Sequence, residues 1–287
     1  MKVYKHGIYD YITIVELPKK EIKKIDLALC QEPRETLKSY YDRQAKKPDF
    51  IMNGGFFNMD DGRTCFNFTD EGVCIVFGHW NSAGMGVIGD NELVYSNIHN
   101  RDDWRDYVAA YPPLIEDGKA LPITYATELN YKARRSVLAY NADTVFLIAV
   151  ESPGMKFEAV QSVLLAMGVT HAIGLDGGGS TKILQDGKSI TSTAYNRAVD
   201  NVVAVYLKEP LRRVQVGAFT NQLYALAMQV KIRALKDTIG AGYKNAYVRK
   251  IGNYYKVQVG AFSKDESAQR VVDDLMSKGY NAYITRE

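Results

Sequence analysis

Over the first ~210 positions the apolar residues fall in short runs bounded by Pro, Gly and charge, which is the pattern of strands. Strands are predicted over Ile8–Val15, Lys24–Leu29, Ser136–Tyr140, Thr144–Val150, Val169–Leu175 and Asn201–Leu207. Helical spacing is rarer. Arg34–Ala45 reads as a short helix closed by Lys46-Lys47-Pro48, and Lys156–Met167 as a longer one. In the latter Phe157, Val160, Val163, Leu164 and Met167 share a face, and Gly168 ends it. The expectation is an α+β chain whose first part is a strand-rich mixed α/β domain.

After Glu209-Pro210 an internal repeat begins. Val214-Gln215-Val216-Gly217-Ala218-Phe219 recurs as Val257-Gln258-Val259-Gly260-Ala261-Phe262, and Gly242-Tyr243-Lys244-Asn245-Ala246-Tyr247 returns in altered form as Gly279-Tyr280-Asn281-Ala282-Tyr283. Each copy reads strand, helix, strand. The helices are expected to bury Leu223, Leu226, Ala227 and Val230 in the first copy, and Ala268, Val271, Val272 and Leu275 in the second. Two such copies make a small ferredoxin-like (βαβ)2 sheet with both helices on one face. Two domains are therefore expected, 1–208 and 212–287, within a chain of 287 residues.

Charge sharpens that division. From Pro210 onward there are 13 Lys/Arg and 6 Asp/Glu, a net of +7; the preceding residues carry 23 and 27, a net of −4. A basic module beside a slightly acidic one fits two jobs, the former on a polyanionic surface or simply well solvated. Cys30, Cys65 and Cys74 do not make a closed disulfide framework, and no CxxC spacing points to zinc. His79, His99 and His171 have no companion spacing that implies a metal. Met1–Gly7 lacks an apolar signal region, and Val145–Val150 is far too short to insert in a membrane. Synthesis in the cytoplasm is expected, with no membrane insertion.

Leu175-Asp176-Gly177-Gly178-Gly179-Ser180-Thr181 is the densest candidate chemistry. Glycines let backbone N–H groups converge on an anion. A tight turn is the competing reading until the flanking acid and hydroxyls are considered. Asp60-Asp61-Gly62 suits a calcium ion or, more simply, a polar turn.

The repeat closely resembles the SPOR domain over nearly all of Arg212–Glu287. The residues that carry the likeness are Arg213–Phe219, Tyr254–Phe262 and Gly279–Tyr283. That resemblance implies binding to peptidoglycan glycan strands, with Gln215, Tyr254, Tyr255 and Gln258 as candidate contacts. Tyrosines suit the task, because a ring meets sugar C–H groups while its hydroxyl meets sugar oxygens. A ferredoxin-like sheet with aromatics also suits RNA, but the doubled Gln-Val-Gly-Ala-Phe pattern favours the wall, and no nucleic-acid partner is expected.

The first domain resembles the phosphodiester glycosidase family through five stretches in the family's order. They are Asn53-Gly54-Gly55-Phe56-Phe57, Tyr111–Gly118, Arg134–Ala139, Leu175–Thr181 and Tyr195–Asn201. There are departures: Asn58 follows the first stretch where an acid is usual, Glu151-Ser152 stands for Asp-Gly-Arg, and Gly174 for Asn. The chemistry implied is hydrolysis of a sugar-1-phosphodiester. Such a reaction needs charge on the phosphate, for which Arg135, Arg197 and the Gly177–Gly179 backbone are candidates, alongside Ser180 and Thr181. It needs a carboxylate near the anomeric carbon, with Asp176 as first choice and Glu151 as second. Asn53, beside Gly54 and Gly55, is suited to an N-acetyl amide. No cofactor is expected to be required, and a divalent cation (calcium or magnesium) stays open.

Asp-Gly-Gly-Gly-Ser-Thr also resembles a phosphate loop of actin-like ATPases, but Ile8–Leu17 offers Asp10 without a following glycine. Lys182 follows the Ser-Thr pair instead of preceding it, so no Walker loop is present. The two resemblances together point to N-acetylglucosamine-1-phosphate linkages such as the one joining teichoic acid to peptidoglycan. A wall enzyme of this kind would reach its substrate after lysis, as a bacteriophage or sporulation protein does. A non-catalytic wall binder and an endolysin-like peptidoglycan hydrolase are the alternatives.

Overall fold

The computed structural model describes residues 1–31, 34–77, 83–98, 101–109, 111–123, 130–192 and 195–286, and all elements below belong to these. His79 and His99 lie outside them. The chain divides into two compact units, Met1–Lys208 and Glu209–Glu287.

The first unit contains three sheets. One has the order β1 (Lys2–Lys5), β2 (Ile12–Pro18), β13 (Thr144–Met155), β12 (Ala133–Tyr140), β14 (His171–Gly174), β10 (Pro113–Glu116) and β11 (Lys119–Ala120). The second runs β16 (Lys188–Ser189), β15 (Ile183–Gln185), β4 (Phe50–Asn53), β17 (Asn201–Leu207) and β3 (Ile22–Leu29). The third runs β6 (Val73–Val76), β5 (Phe68–Asp70), β9 (Asp106–Ala109), β7 (Gly84–Ile88) and β8 (Glu92–Ser96).

Strand alternation explains how these layers stack. Leu138, Leu147, Ala149 and Ile173 of the first sheet join Met52, Val203, Val205 and Ile183 of the second, with Met85 and Val108 of the third, in one core. The opposite face of the first sheet, with Val137, Ala139 and Ile148, is covered by α2 (Phe157–Ala166) through Phe157, Val160 and Leu164. Both predicted helices form. The shorter, α1 (Leu37–Arg43), starts where Thr36 Oγ1 accepts the Ser39 N–H at 3.1 Å.

The second unit is one sheet in the order β19 (Tyr247–Ile251), β20 (Tyr254–Phe262), β18 (Arg212–Phe219) and β21 (Tyr283–Arg286), antiparallel throughout. With α3 (Gln222–Arg233) and α4 (Asp265–Ser277) this is the ferredoxin-like arrangement. α4 buries Ala268, Val271, Val272 and Leu275 as expected. α3 does not follow its expected face. Leu223 and Val230 are exposed, while Ala225 and Ile232 are buried. The helix carries a second apolar stripe, Ala225, Met228 and Ile232, continued by Leu235 just beyond its end, which faces the core of this unit. On the same side Gln229 Nε2 and Arg233 Nε both donate to the Ala246 carbonyl at 2.8 Å. Among the described residues no helix is long and apolar enough to cross a membrane.

Candidate functional site

The glycine loop leaves the first sheet directly after β14, where Leu175 N–H bonds the Ser136 carbonyl at 2.9 Å. Two contacts then tie it to the second sheet. Asp176 N–H donates to Gly54 O at 3.0 Å, and Asn53 Nδ2 donates to Asp176 O at 2.6 Å. Asn53 Oδ1 accepts from Ser136 Oγ at 2.8 Å and from Lys182 N–H at 3.2 Å, on the far side of the loop. Asn201 completes the frame by accepting Gly55 N–H at its Oδ1 (2.6 Å) and Gly54 N–H at its carbonyl (2.9 Å). Both ends of the loop are thereby fixed to the Asn53-Gly54-Gly55 turn.

Within the loop Gly178 has φ of +57°, a conformation that glycine adopts without strain. A Cβ on Gly179 would fall 2.7 Å from Arg197 Nη2, so the missing side chain is what lets this guanidinium lie against the loop. Ser180 and Thr181 are buried; the Ser180 hydroxyl lies beside the Asp176 carboxyl, and among the described residues the Thr181 hydroxyl has no hydrogen-bond partner. Burial pushes the Asp176 carboxyl up to about 6, against the opposing pull of the Ser180 hydroxyl, the Arg197 charge and the Gly177 N–H. A carboxyl titrating there can exchange a proton or hold a charge near neutral pH.

Other polar and aromatic groups stand on the segments that flank the loop. Lys182 Nζ donates to Tyr195 O at 3.0 Å and Asn196 Oδ1 at 3.3 Å, and burial lowers its pKa. The Arg134 guanidinium lies 4.6 Å from the centroid of the Tyr195 ring. Phe56, Phe66 and Tyr111 pack ring to ring, with centroids 5.2–5.9 Å apart. Beside them Cys65 N–H bonds Phe56 O at 3.0 Å. The Cys65 thiol is pushed up by burial and by the charges of Asp61, Asp176 and Asp200. It lines a cleft of about 570 Å³ together with Asn58, Asp61, Arg63, Thr64 and Asp200.

Several candidates sit differently from expectation. Arg135 is on the α2 side of β12, opposite Ser136: its Nε donates to Met155 O at 3.2 Å, Nη2 donates to Tyr131 O, and the guanidinium stacks 3.9 Å from the Phe157 ring centroid. The structure does not bring it to Asp176. Neighbours on a strand point opposite ways, so it is Ser136 that faces Asn53. Asn53 itself is wholly buried with both amide ends engaged, which makes it a clamp and leaves it nothing to offer an N-acetyl group. Glu151 is buried as well. Its Oε2 accepts from Thr13 Oγ1 at 2.8 Å and from Lys5 Nζ, and its Oε1 from the Ser192 N–H and hydroxyl. Burial opposes that charge, but Lys5, Ser192 and Thr13 together hold the pKa below the usual value. Asp60–Arg63 closes as a turn, with Asp60 N–H on Asn58 Oδ1 and Arg63 N–H on Asp61 Oδ1, both 2.9 Å. Among the described residues no group of three or more His, Cys, Asp or Glu is arranged to hold a metal. His171 stacks on Tyr140 with centroids 4.8 Å apart. Lys182, Asn201 and Arg134 stand in or beside the stretches that carry the family resemblance, but the sequence alone gives them no role at the site. Strand alternation from Ser136 was the available signal against Arg135.

In the second unit a row crosses the open sheet face: Tyr247, Gln258, Gln215 and Tyr283 are consecutive partners across the four strands. Tyr247 Oη donates to Gln258 Oε1 at 3.0 Å, and Gln215 Nε2 donates to Tyr283 Oη. The tyrosines roof the glutamines, so Gln215 and Gln258 are buried instead of presented. Tyr254 shares the face of Gln258 and is half exposed; Tyr255, one residue on, points to the other face.

The phosphodiester glycosidase family model matches residues 41–206, and the SPOR domain model matches residues 210–286. Among solved structures the chain is similar to the catalytic domain of zebrafish N-acetylglucosamine-1-phosphodiester alpha-N-acetylglucosaminidase, auto-inhibited by its pro-peptide. That match has a TM-score of 0.56 and 15% identity over 72% of this chain and 87% of that one. A hypothetical protein from Synechocystis matches with a TM-score of 0.60 and 12% identity over 72% and 61%. The peptidoglycan-binding domain of the B. subtilis cell wall lytic enzyme CwlC is 28% identical over 27% of this chain and 90% of that one, with a TM-score of 0.23. No curated protein matches the chain.

Proposed function

We propose a reaction from one premise: the chain belongs to the phosphodiester glycosidase family, whose model spans residues 41–206. The first unit hydrolyses a sugar-1-phosphodiester, and the SPOR unit holds it on peptidoglycan glycan strands. What carries this reading is Asp176, a carboxyl titrating near pH 6 on a glycine loop beside Arg197 and the buried hydroxyls of Ser180 and Thr181. Above that pH the carboxylate either takes a proton from an attacking water or stabilises positive charge at the anomeric carbon. Arg197 and Lys182 neutralise the phosphate. The departing phosphomonoester is a stable anion, so little help from a general acid is needed.

The substrate proposed is an N-acetylglucosamine-1-phosphate linkage of the kind that joins teichoic acid to peptidoglycan. The protein would act on the wall once lysis exposes it, in a bacteriophage or a sporulating mother cell. Purified walls incubated with the full chain should release polymer ending in N-acetylglucosamine, and Asp176→Ala should abolish release. Equal release by both proteins, or none by either, defeats the assignment. Cleaved glycan or stem-peptide bonds among the muropeptides would identify a peptidoglycan hydrolase instead.

A further inference from the structure

Asp176 adjoins two surfaces of different charge. Arg197 lies against Gly179, Lys182 follows the loop, and Arg134 stacks on Tyr195. None of these three cations lines the Cys65 cleft. That cleft instead presents Asn58, Asp61, Thr64 and Asp200, with Arg63, exposed, as the one cation among its described lining residues. The cleft reaches the reaction centre through backbone. Asp200 leads into Asn201, whose carbonyl takes Gly54 N–H, and Gly54 O takes Asp176 N–H. Cys65, which lines the cleft, is also tied by its N–H to the Phe56 carbonyl.

A phosphodiester carries a permanent negative charge, and two carboxylates at close range repel it. A pyranose is neutral, and its hydroxyls donate well to carboxylate, amide and threonine oxygens, while its C–H face packs on apolar side chains such as Ile75 and Val76, which also line the cleft. Resting on the phosphodiester glycosidase reading, we infer that the cleft of Asn58, Asp61, Thr64 and Asp200 takes the sugar ring, while the phosphate and the chain beyond it lie on the Arg197–Lys182–Arg134 side. Asp176 then stands at the anomeric carbon between them.

Two probes, N-acetylglucosamine and inorganic phosphate, test this on the full chain by saturation-transfer titration. Thr64→Gln, which narrows the cleft, should weaken N-acetylglucosamine at least fivefold and leave phosphate within twofold. Arg197→Ala should do the reverse. In the unaltered protein N-acetylglucosamine should slow alkylation of Cys65 and phosphate should not, a readout that needs no variant to fold. Loss of phosphate binding in Arg63→Ala with retention in Arg197→Ala would reverse the polarity and overturn the inference, as would failure of N-acetylglucosamine to bind or to protect Cys65. Hydrolysis measured in parallel separates the two readings. An active enzyme with reversed probe responses loses only this inference, and an inactive one with the expected responses loses only the hydrolytic assignment.

Discussion

Asn53 Nδ2 donates to the backbone carbonyl of Asp176 at 2.6 Å across 123 positions of sequence, while Asn53 Oδ1 takes Ser136 Oγ and Lys182 N–H. One buried amide thus joins two sheets and both ends of the glycine loop. Asn53→Ala leaves these partners unpaired in the interior. It should cost about 2–4 kcal/mol of stability in denaturant titration. Turnover in the protein that remains folded should fall as well, because Asp176 loses its anchor. A stability loss under ~0.5 kcal/mol would mean the clamp is not needed.

Asp176 should limit both activity and stability with pH. Its native pKa of about 6 lies above the ordinary aspartate value of 3.8, so the folded state binds a proton more tightly than the unfolded one. Stability therefore declines as pH rises from about 4 to about 6 and stays lower above. Asp176→Asn removes that decline and should be more stable than the unaltered protein at pH 7.5 by about 2–3 kcal/mol relative to the difference at pH 3.5. Its activity should be lost, and in the unaltered enzyme kcat/KM should drop about tenfold per pH unit below about 6. A profile flat down to pH 5 would remove Asp176 from the reaction.

The opposite sign applies to Glu151, whose pKa is depressed by Lys5, Ser192 and Thr13 against its burial. Its contribution is present above the ordinary carboxylate range and lost as pH falls through the lower native value. Glu151→Gln should destabilise the protein at pH 7 by about 1–3 kcal/mol, and the gap should close as pH falls through the depressed native value. Because Glu151 holds Ser192, five residues before Arg197, KM should rise more than kcat falls. A kcat loss as large as that of Asp176→Asn would return Glu151 to the chemistry.

Legibility in the sequence followed physical clarity. Long apolar strands such as Thr144–Val150 and the helix Phe157–Ala166 could be read because burial on one or both faces imposes a period. The third sheet could not. Its strands are three to five residues long, and in β7 Gly84 and Gly86 carry Tyr107 and Trp104 directly on their backbone, leaving no stripe to detect. At the site the loop residues Asp176–Thr181 and Arg197 were visible as types, because few other residues serve an anion. What escaped was direction. Arg135 and Ser136 are adjacent, yet only the latter faces Asn53, and Tyr254 and Tyr255 divide in the same way. Contacts such as Asn53–Asp176 depend on which sheets stack, which no local pattern encodes.

The helix α3 offers a separate test in the SPOR unit, where amphipathic spacing pointed to the wrong face. Leu223 is 71% exposed and Val230 65%, whereas Val272 of α4 is 5% exposed. Two apolar stripes compete on this helix, and the one that is buried, with Ala225, Met228 and Ile232, is also the side on which Gln229 and Arg233 share the Ala246 carbonyl. Leu223→Ser and Val230→Ser should therefore leave stability within ~0.5 kcal/mol. Val272→Ser should cost about 2–3 kcal/mol, through lost apolar burial and a hydroxyl placed in the core. Gln229→Leu should also destabilise, because it removes one of the two donors to Ala246, although leucine is the more apolar residue. Thermal unfolding of the SPOR transition in the full chain reads all four. A large loss from Leu223→Ser together with a gain from Gln229→Leu would restore the face that spacing alone predicts.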